Sequence, residues 1–303
     1  MNMLASRFQC LLLDFGSPCN NRCVFCNAPG MIPGNLRLHE FEQFAELIGC
    51  SLSVDVGGYG EFVLHPDCAE IIAALTAANK PFRFATNGIV LDQWLDVLQH
   101  SSLHTVRVSV NSLIPETYRK LCGTDSCEKI QANIDMAMAI KRRRFTLSTS
   151  YVITAWNWNE IPRILDYSLS RALSVQLFDL VPAITYPPGL QVEDTTEHRR
   201  QLAEWKCDAE TKGVNAIFFD FATRNVTPED NTRLADRIKH CHYPYDILAV
   251  QSDGNVTPCC WCCISMGNVN KQSISEIWNG EAYTDLRQCL ASGNTKYCTN
   301  CAR

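Results

Sequence analysis

Three cysteines stand close together near the start of the chain, Cys19, Cys23 and Cys26 in the run SPCNNRCVFCNAPG. Three thiolates on one short loop can face a single metal centre, and soft thiolate ligands select zinc or iron-sulfur clusters. A closed structural zinc site wants four ligands, so an odd set with no nearby His leaves one coordination position open. Four more cysteines are spaced for chemistry near the C-terminus: Cys241, then Cys259, then Cys298 and Cys301 as a Cys-x2-Cys pair. Spacing alone permits either a four-cysteine zinc site or an iron-sulfur cluster there. The chain carries 17 cysteines in 303 residues, and most of the others read as small buried hydrophobes. The run Cys259-Cys260-Trp261-Cys262-Cys263 is different, because it places spare thiols directly beside one of the four.

The elements that must hold these residues alternate. Strands are expected near 10–15, 52–56, 82–85, 104–110, 146–153 and 174–181, with helices near 39–49, 67–79, 91–99, 126–141 and 159–171. Repeated βα units of this kind form a parallel sheet. Six strands are too few for a closed eight-stranded barrel, so the expected fold is α/β, a partial (βα)6 barrel whose chemistry sits at the strand C-terminal ends. The Pro-rich stretch 182–193 is a connector. Beyond it come a helix near 195–212, the apolar run GVNAIFF, a hairpin around Ser252-Asp253-Gly254, and a helix near 273–290. The expected domains are 1–193 for the barrel, 194–240 for a connecting helix and strand, and 241–303 for a small cysteine-bearing module.

Composition excludes several classes. The formal net charge is −5 and 46% of the chain is hydrophobic, so the chain reads as an ordinary soluble globular protein of about two units. No basic n-region or small-residue cleavage site opens the chain, and Asp14 interrupts its first apolar run, so a secreted disulfide scaffold is not expected. In a reducing cytoplasm, clustered cysteines mean metal or redox chemistry. No apolar run reaches the ~18 residues that would span a bilayer. The basic run Lys141–Arg144 is too short to make a nucleic-acid footprint on an acidic chain.

At its first cysteine cluster the sequence resembles the radical S-adenosylmethionine (SAM) superfamily. That family's signature is the same Cys-x3-Cys-x2-Cys loop after the first barrel strand, and the aromatic Phe25 ahead of the last cysteine also fits. The resemblance implies that Cys19, Cys23 and Cys26 hold three irons of a 4Fe-4S cluster, while the fourth iron chelates the amino and carboxylate groups of SAM. Electron transfer then yields a 5′-deoxyadenosyl radical that abstracts hydrogen from an unactivated carbon, with the protein orienting and shielding. GGYGEF, residues 57–62, resembles the family's Gly-Glu turn, with Phe62 in place of the usual Pro. It implies that Gly57, Gly58, Gly60 and Glu61 meet the SAM ammonium, since glycines permit close backbone approach and a carboxylate accepts from a cation. Thr86 and Asn87 after the third strand, and Ser109 and Asn111 ending the fourth, stand where the family keeps polar contacts to SAM. Asn111 occupies a position often held by Asp, and strand-end capping is the structural alternative for each of these residues.

The C-terminal four, with Gly254 shortly before Cys259, resemble the twitch domain, a shortened relative of the SPASM domain. The resemblance implies one auxiliary 4Fe-4S cluster on Cys241, Cys259, Cys298 and Cys301, because a full SPASM set needs further cysteines downstream. Expected cofactors are therefore SAM and two 4Fe-4S clusters, and the expected partner is an external electron donor such as flavodoxin or ferredoxin. A thiol near a substrate radical can give up hydrogen and complete an inversion. The chain is most similar in this respect to aminoglycoside epimerases of the neomycin type, which makes Cys262 the expected hydrogen donor, with Cys263, Cys260 and Cys122 behind it. The expected substrate is a small molecule, a cationic amino sugar suited to an acidic protein. Alternatives are a dehydrogenase of an aminocyclitol or sugar, and a maturase of a ribosomally made peptide, for which no extra leader-binding domain is apparent. A noncatalytic iron-sulfur or zinc protein is opposed by the open three-cysteine site beside a Gly-Glu turn.

Overall fold

The computed structural model describes residues 8–26, 37–38, 41, 43–180, 185–219, 235–236, 238–259 and 264–298. Of the candidate residues, Cys260, Cys262, Cys263 and Cys301 lie outside this set. The chain folds as two compact units, Met1–Pro18 with Gly30–Phe84 and Thr223–Arg303, and Cys19–Pro29 with Ala85–Ala222. These limits differ from the boundaries at 193 and 240 expected from sequence.

In the first unit, β1 (Phe8–Leu13) pairs in parallel with β2 (Ser51–Val56), Leu11 beside Val54, and β2 pairs in parallel with the start of β3 (Phe82–Thr86). The crossovers carry α1 (Phe44–Cys50) and α2 (Cys68–Ala77). Helix α2 buries Cys68, Ile71, Ile72 and Leu75, an i, i+3, i+4, i+7 stripe. Each large aliphatic side chain so covered contributes on the order of 1.5–3 kcal/mol.

The C-terminal segment enters this unit through a strand. β8 (Ile247–Val250) pairs in parallel with β1, Leu13 beside Val250, and then turns at Gly254 into antiparallel β9 (Asn255–Thr257). A positive φ of 78° at Gly254 makes that turn, so the hairpin expected around residues 252–254 is present. The pairing with β1 was not foreseen from the sequence, which gave the small C-terminal module without its strand partners. A short run such as ILAV, largely buried, carries no sign of which neighbour it will pair with. β10 (Gly267–Asn268) continues antiparallel to β9. Helix α8 (Tyr243–Asp246) precedes β8. The single helix expected at 273–290 is two, α9 (Ile274–Trp278) and α10 (Glu281–Ser292), broken at Gly280, whose extended backbone caps α10. Ser273 and Glu276 form a reciprocal capping box that starts α9.

In the second unit β4 (Leu103–Ser109), β5 (Thr146–Val152), β6 (Ser174–Phe178) and β7 (Ala216–Phe219) pair successively in parallel. GVNAIFF therefore supplies β7, one parallel strand more than the six expected. The connecting helices are α3 (Leu95–Gln99), α4 (Pro115–Cys122), α5 (Cys127–Met138), α6 (Ile161–Ser170) and α7 (Thr196–Thr211). Helix α4 is absent from the sequence expectation. It starts with Pro115 in the first turn and ends at Gly123 in the left-handed conformation, φ 74°. Among the described residues no helix is long and apolar enough to cross a membrane.

Candidate functional site

The loop bearing the first cysteine set is held by backbone and by neutral side chains. The amides of Arg22 and Val24 donate to the carbonyls of Cys122 and Leu121, both at 2.9 Å, so the loop runs along the C-terminal turn of α4. Asn21 Nδ2 donates to the Tyr118 hydroxyl at 3.0 Å, and its Oδ1 accepts from Thr124 Oγ1 at 2.9 Å. Burial pushes the Tyr118 phenol well above its ordinary range, so it stays protonated. Asn20 Oδ1 accepts from Asn87 Nδ2 at 2.6 Å, tying the loop to the residue that follows β3. Within the loop Cys26 N–H closes a turn onto the Cys23 carbonyl at 3.1 Å. Cys19 and Cys26 are exposed, and Cys23 and the neighbouring Phe25 are half-buried. Cys68, Cys122 and Cys127, by contrast, are buried.

The Gly-rich turn lies in the first unit. Gly57 N–H donates to the Leu13 carbonyl at 3.1 Å, and Glu61 N–H donates to the Pro18 carbonyl at 3.1 Å. The turn is therefore fastened to the chain at both sides of the β1 terminus. Gly58 and Gly60 have φ of 103° and 94°. A Cβ on Gly60 would fall inside the Ser17 carbonyl oxygen, and one on Gly58 inside the Asp14 carboxyl, whereas one on Gly57 would meet nothing. The Glu61 side chain is 2% exposed.

Asp14, which the sequence offered only as a break in an apolar run, supports this turn from behind. Its Oδ1 accepts from Gly16 N at 2.8 Å and Tyr59 N at 3.3 Å, and its Oδ2 is buried with no hydrogen-bond partner among the described residues. Burial pushes its pKa up to about 6 from 3.8, against the pull of the two amides. The folded state thus holds the Asp14 proton more tightly than the unfolded chain. The associated stability is complete below the unfolded value and is lost as the pH rises through about 6. A shift of that size corresponds to about 3 kcal/mol. Asp14→Asn keeps an acceptor for both amides and is expected to flatten the decline between about pH 4 and 7. Urea midpoints across that range test this, and parallel declines in wild type and variant would contradict it.

At the strand ends of the second unit, Thr86 Oγ1 accepts from Gly88 N at 3.0 Å and Asn87 Oδ1 from Ile89 N at 3.0 Å. Ser109 and Ser150 share a hydroxyl contact at 3.3 Å. Asn111 is 4% exposed. Its Oδ1 accepts from Val152 N at 3.1 Å and its Nδ2 donates to Cys122 Sγ at 3.8 Å, which ties the end of β4 to the end of β5. Thr86 and Asn87 thus cap local backbone, Asn111 accepts from the backbone of the neighbouring strand, and Ser109 meets a neighbouring hydroxyl. Cys122, expected to be able to face the cavity, instead has 0% exposure and sits under Asn111. This corrects that expectation, and its cause is α4, whose last turn points the residue inward.

The second cysteine set is organised by α10. Arg287 donates from Nε to the Pro244 carbonyl at 2.9 Å, three residues beyond Cys241. Tyr283 Oη donates to the Thr257 carbonyl at 3.5 Å, and Thr257 Oγ1 donates to the Cys259 carbonyl at 3.3 Å. Asp285 accepts from Tyr297 Oη at 2.5 Å and Lys296 Nζ at 2.7 Å, on the turn that leads to Cys298. One helix therefore fixes all three described cysteine-bearing segments. Cys241, Cys259 and Cys298 are half-buried, while Cys289 on α10 itself is buried. Among the described residues no three His, Cys, Asp or Glu side chains are gathered tightly enough for a single metal ion.

The chain belongs to the radical SAM superfamily, which it matches over residues 14–168. Residues 241–302 match SPASM, an iron-sulfur cluster-binding domain. The protein is accordingly a radical SAM enzyme whose cofactors are SAM and a 4Fe-4S cluster, with auxiliary iron-sulfur binding in its C-terminal domain. The described thiols of both sets are exposed or half-buried, and cysteine thiolates are the ligands such groups take. Among curated proteins the chain is similar to a probable GTP 3′,8-cyclase of Methanococcus maripaludis, 25% identical over 176 residues that make up 56% of this chain and 58% of that one. It is also similar to GTP 3′,8-cyclase of Stenotrophomonas maltophilia, 28% identical over 181 residues, 57% of this chain and 55% of that one. The match thus spans a little over half the length of these relatives. Among solved structures, Streptococcus suis SuiB bound to precursor peptide SuiA gives a TM-score of 0.72 at 17% identity, covering 97% of this chain and 72% of that one. Native anSMEcpe with bound AdoMet and Cp18Cys peptide gives 0.67 at 16% identity, covering 93% and 83%. At these identities the likeness to the solved structures is one of fold.

Proposed function

We propose that Cys19, Cys23 and Cys26 hold the SAM cluster and that Cys241, Cys259, Cys298 and Cys301 hold one auxiliary 4Fe-4S cluster. Gly57, Gly58, Gly60 and Glu61 receive the SAM ammonium, with Phe25, Thr86, Asn87, Ser109 and Asn111 around the rest of the cofactor. The reaction is inversion at one carbon of a cationic amino sugar, with Cys262 as hydrogen donor. The observation that carries the choice of donor is the closure of Cys122, which is sealed under Asn111. The candidate thiols that remain all follow Cys259.

Cys19, Cys23 and Cys26 would hold the cluster and the Gly57–Glu61 turn the SAM, which when bound would supply the radical chemistry that removes a hydrogen atom from the substrate carbon. Cys262 then gives its S–H hydrogen to the opposite face, since that bond is weaker than a typical C–H bond. The sulfur radical left on Cys262 would take one electron, ultimately from an external flavodoxin or ferredoxin, and one proton, and the auxiliary cluster held by Cys241, Cys259, Cys298 and Cys301 would supply the relay for that electron. The substrate is inverted without net oxidation. A net charge of −5 suits a polycationic ligand.

Peptide modification is the second reading, favoured by the peptides bound in the SuiB and anSMEcpe structures. The reconstituted enzyme, assayed in deuterated water on aminoglycosides, peptides and GTP, separates the readings. Epimerisation places deuterium at the inverted carbon. Cys262→Ala is expected to abolish inversion while 5′-deoxyadenosine still forms. Normal inversion by that variant would assign another donor. A ketone product would make the enzyme a dehydrogenase, and turnover of peptides or GTP alone would replace the amino-sugar reading.

A further inference from the structure

Arg287 is a buried cation for which no described carboxylate provides a partner. The residue is 8% exposed. Its Nε and Nη1 donate to the carbonyls of Pro244 at 2.9 Å and Trp278 at 2.7 Å, and Nη2 is buried with no partner among the described residues. The guanidinium lies 4.6 Å from the Trp278 ring centre, 4.9 Å from Tyr283 and 5.6 Å from Tyr245. Burial works against its charge, and only tyrosines oppose that pull. Carbonyl dipoles and aromatic faces soften the cost of such a charge, yet a buried cation ordinarily finds an anion.

The surroundings indicate which anion. Arg287 is anchored to Pro244, three residues after Cys241, and stacks near Tyr283, whose hydroxyl bonds the segment that leads into Cys259. Four thiolates around a four-iron core carry net negative charge, which grows by one on reduction. The potential of such a cluster is set by its net charge, its hydrogen bonds and its exposure. We propose that Arg287 is the fixed positive charge that balances the auxiliary cluster and raises its reduction potential. This rests on the assignment of Cys241, Cys259, Cys298 and Cys301 to that cluster. A cation held rigidly by two carbonyls and three rings favours the reduced cluster without forming a bond to it. Arg287 is thus a positioning charge for electron relay and does not touch the substrate.

The test uses the full chain with Cys19, Cys23 and Cys26 all changed to Ala, so that only the auxiliary cluster remains. Iron content of about four per chain and one reducible signal establish that cluster before Arg287 is altered. Absence of both would sink the cluster assignment itself and is seen in the parent protein. The midpoint potential is then followed by electron paramagnetic resonance in a redox titration. Arg287→Gln, which keeps an amide donor and removes the charge, is expected to shift the midpoint to more negative values, while Arg287→Lys stays near the parent. Should Arg287→Gln fail to retain iron, retention at the parent potential in Arg287→Lys supports the charge. An unchanged midpoint in Arg287→Gln, equal shifts in both variants, or loss of the cluster from both would overturn the proposal.

Discussion

Serine in place of Cys23 is expected to abolish formation of 5′-deoxyadenosine from SAM while leaving the protein folded. The loop that carries Cys23 is fastened by the amides of Arg22 and Val24 and by the Asn21 side chain, none of which uses a thiol. Cys23 is half-buried and Cys19 and Cys26 are exposed, so exchange of sulfur for oxygen removes little packing. Surface changes of this kind stay within about 0.5 kcal/mol. The metal centre is affected far more, because a hydroxyl at neutral pH is a poor substitute for a soft thiolate. Iron is expected to fall by about four per chain, and SAM cleavage to drop below detection. Reconstituted iron content, deoxyadenosine yield and the thermal midpoint of the iron-free protein are the measurements. Wild-type cleavage by Cys23→Ser would remove the residue from the ligand set. Cys122→Ala is the contrasting variant, because its sulfur is packed under Asn111 and its loss is expected to destabilise the fold by about 1 kcal/mol without lowering iron content.

The sequence carried the chemistry of the site further than its architecture. Strand-length apolar runs and helix-length stripes recur along residues 8–178, and each corresponds to an element close to where periodicity places it. Thiol spacing was legible as far as the family, since the radical SAM and SPASM matches cover the two stretches that carry the spaced cysteines. Pairing was not legible. ILAV reads as the first strand of a local hairpin, and nothing in it announces a parallel partner 237 residues earlier in β1, where Cys10 stands beside Ile247. Side-chain direction was also hidden. Cys122 and Asn111 look like polar residues near a strand end, yet α4 turns the thiol inward and Asn111 is engaged by Val152. Asp14 and Arg287 were missed for a related reason. Asp14 reads as a break in an apolar run and Arg287 as an ordinary charge on a polar helix, although burial without a partner is what makes such a group informative.

The separation of structure from ligand binding can be tested at the glycine turn, where two neighbouring residues should respond in opposite ways. Gly60→Ala is expected to destabilise the protein by about 2–5 kcal/mol, combining roughly 1–2 kcal/mol for a positive φ with about 1–3 kcal/mol for overpacking. The φ of Gly60 is 94°, and the added methyl would collide with the Ser17 carbonyl. Relief requires Ser17 to move, and with it Pro18, which accepts the Glu61 amide and immediately precedes Cys19. Both the turn and the entry to the cysteine loop should therefore be disturbed. Gly57→Ala meets no atom within 4 Å and its φ is not in the positive region, so stability should change by less than about 0.5 kcal/mol. If SAM approaches the backbone at this turn, however, the new methyl stands in its way, and affinity should fall about tenfold or more. Denaturant unfolding and equilibrium binding of SAM to the reconstituted proteins measure the two quantities separately. Unchanged SAM affinity in Gly57→Ala would move the cofactor off this turn, and full stability in Gly60→Ala would show that the contact with Ser17 does not constrain it.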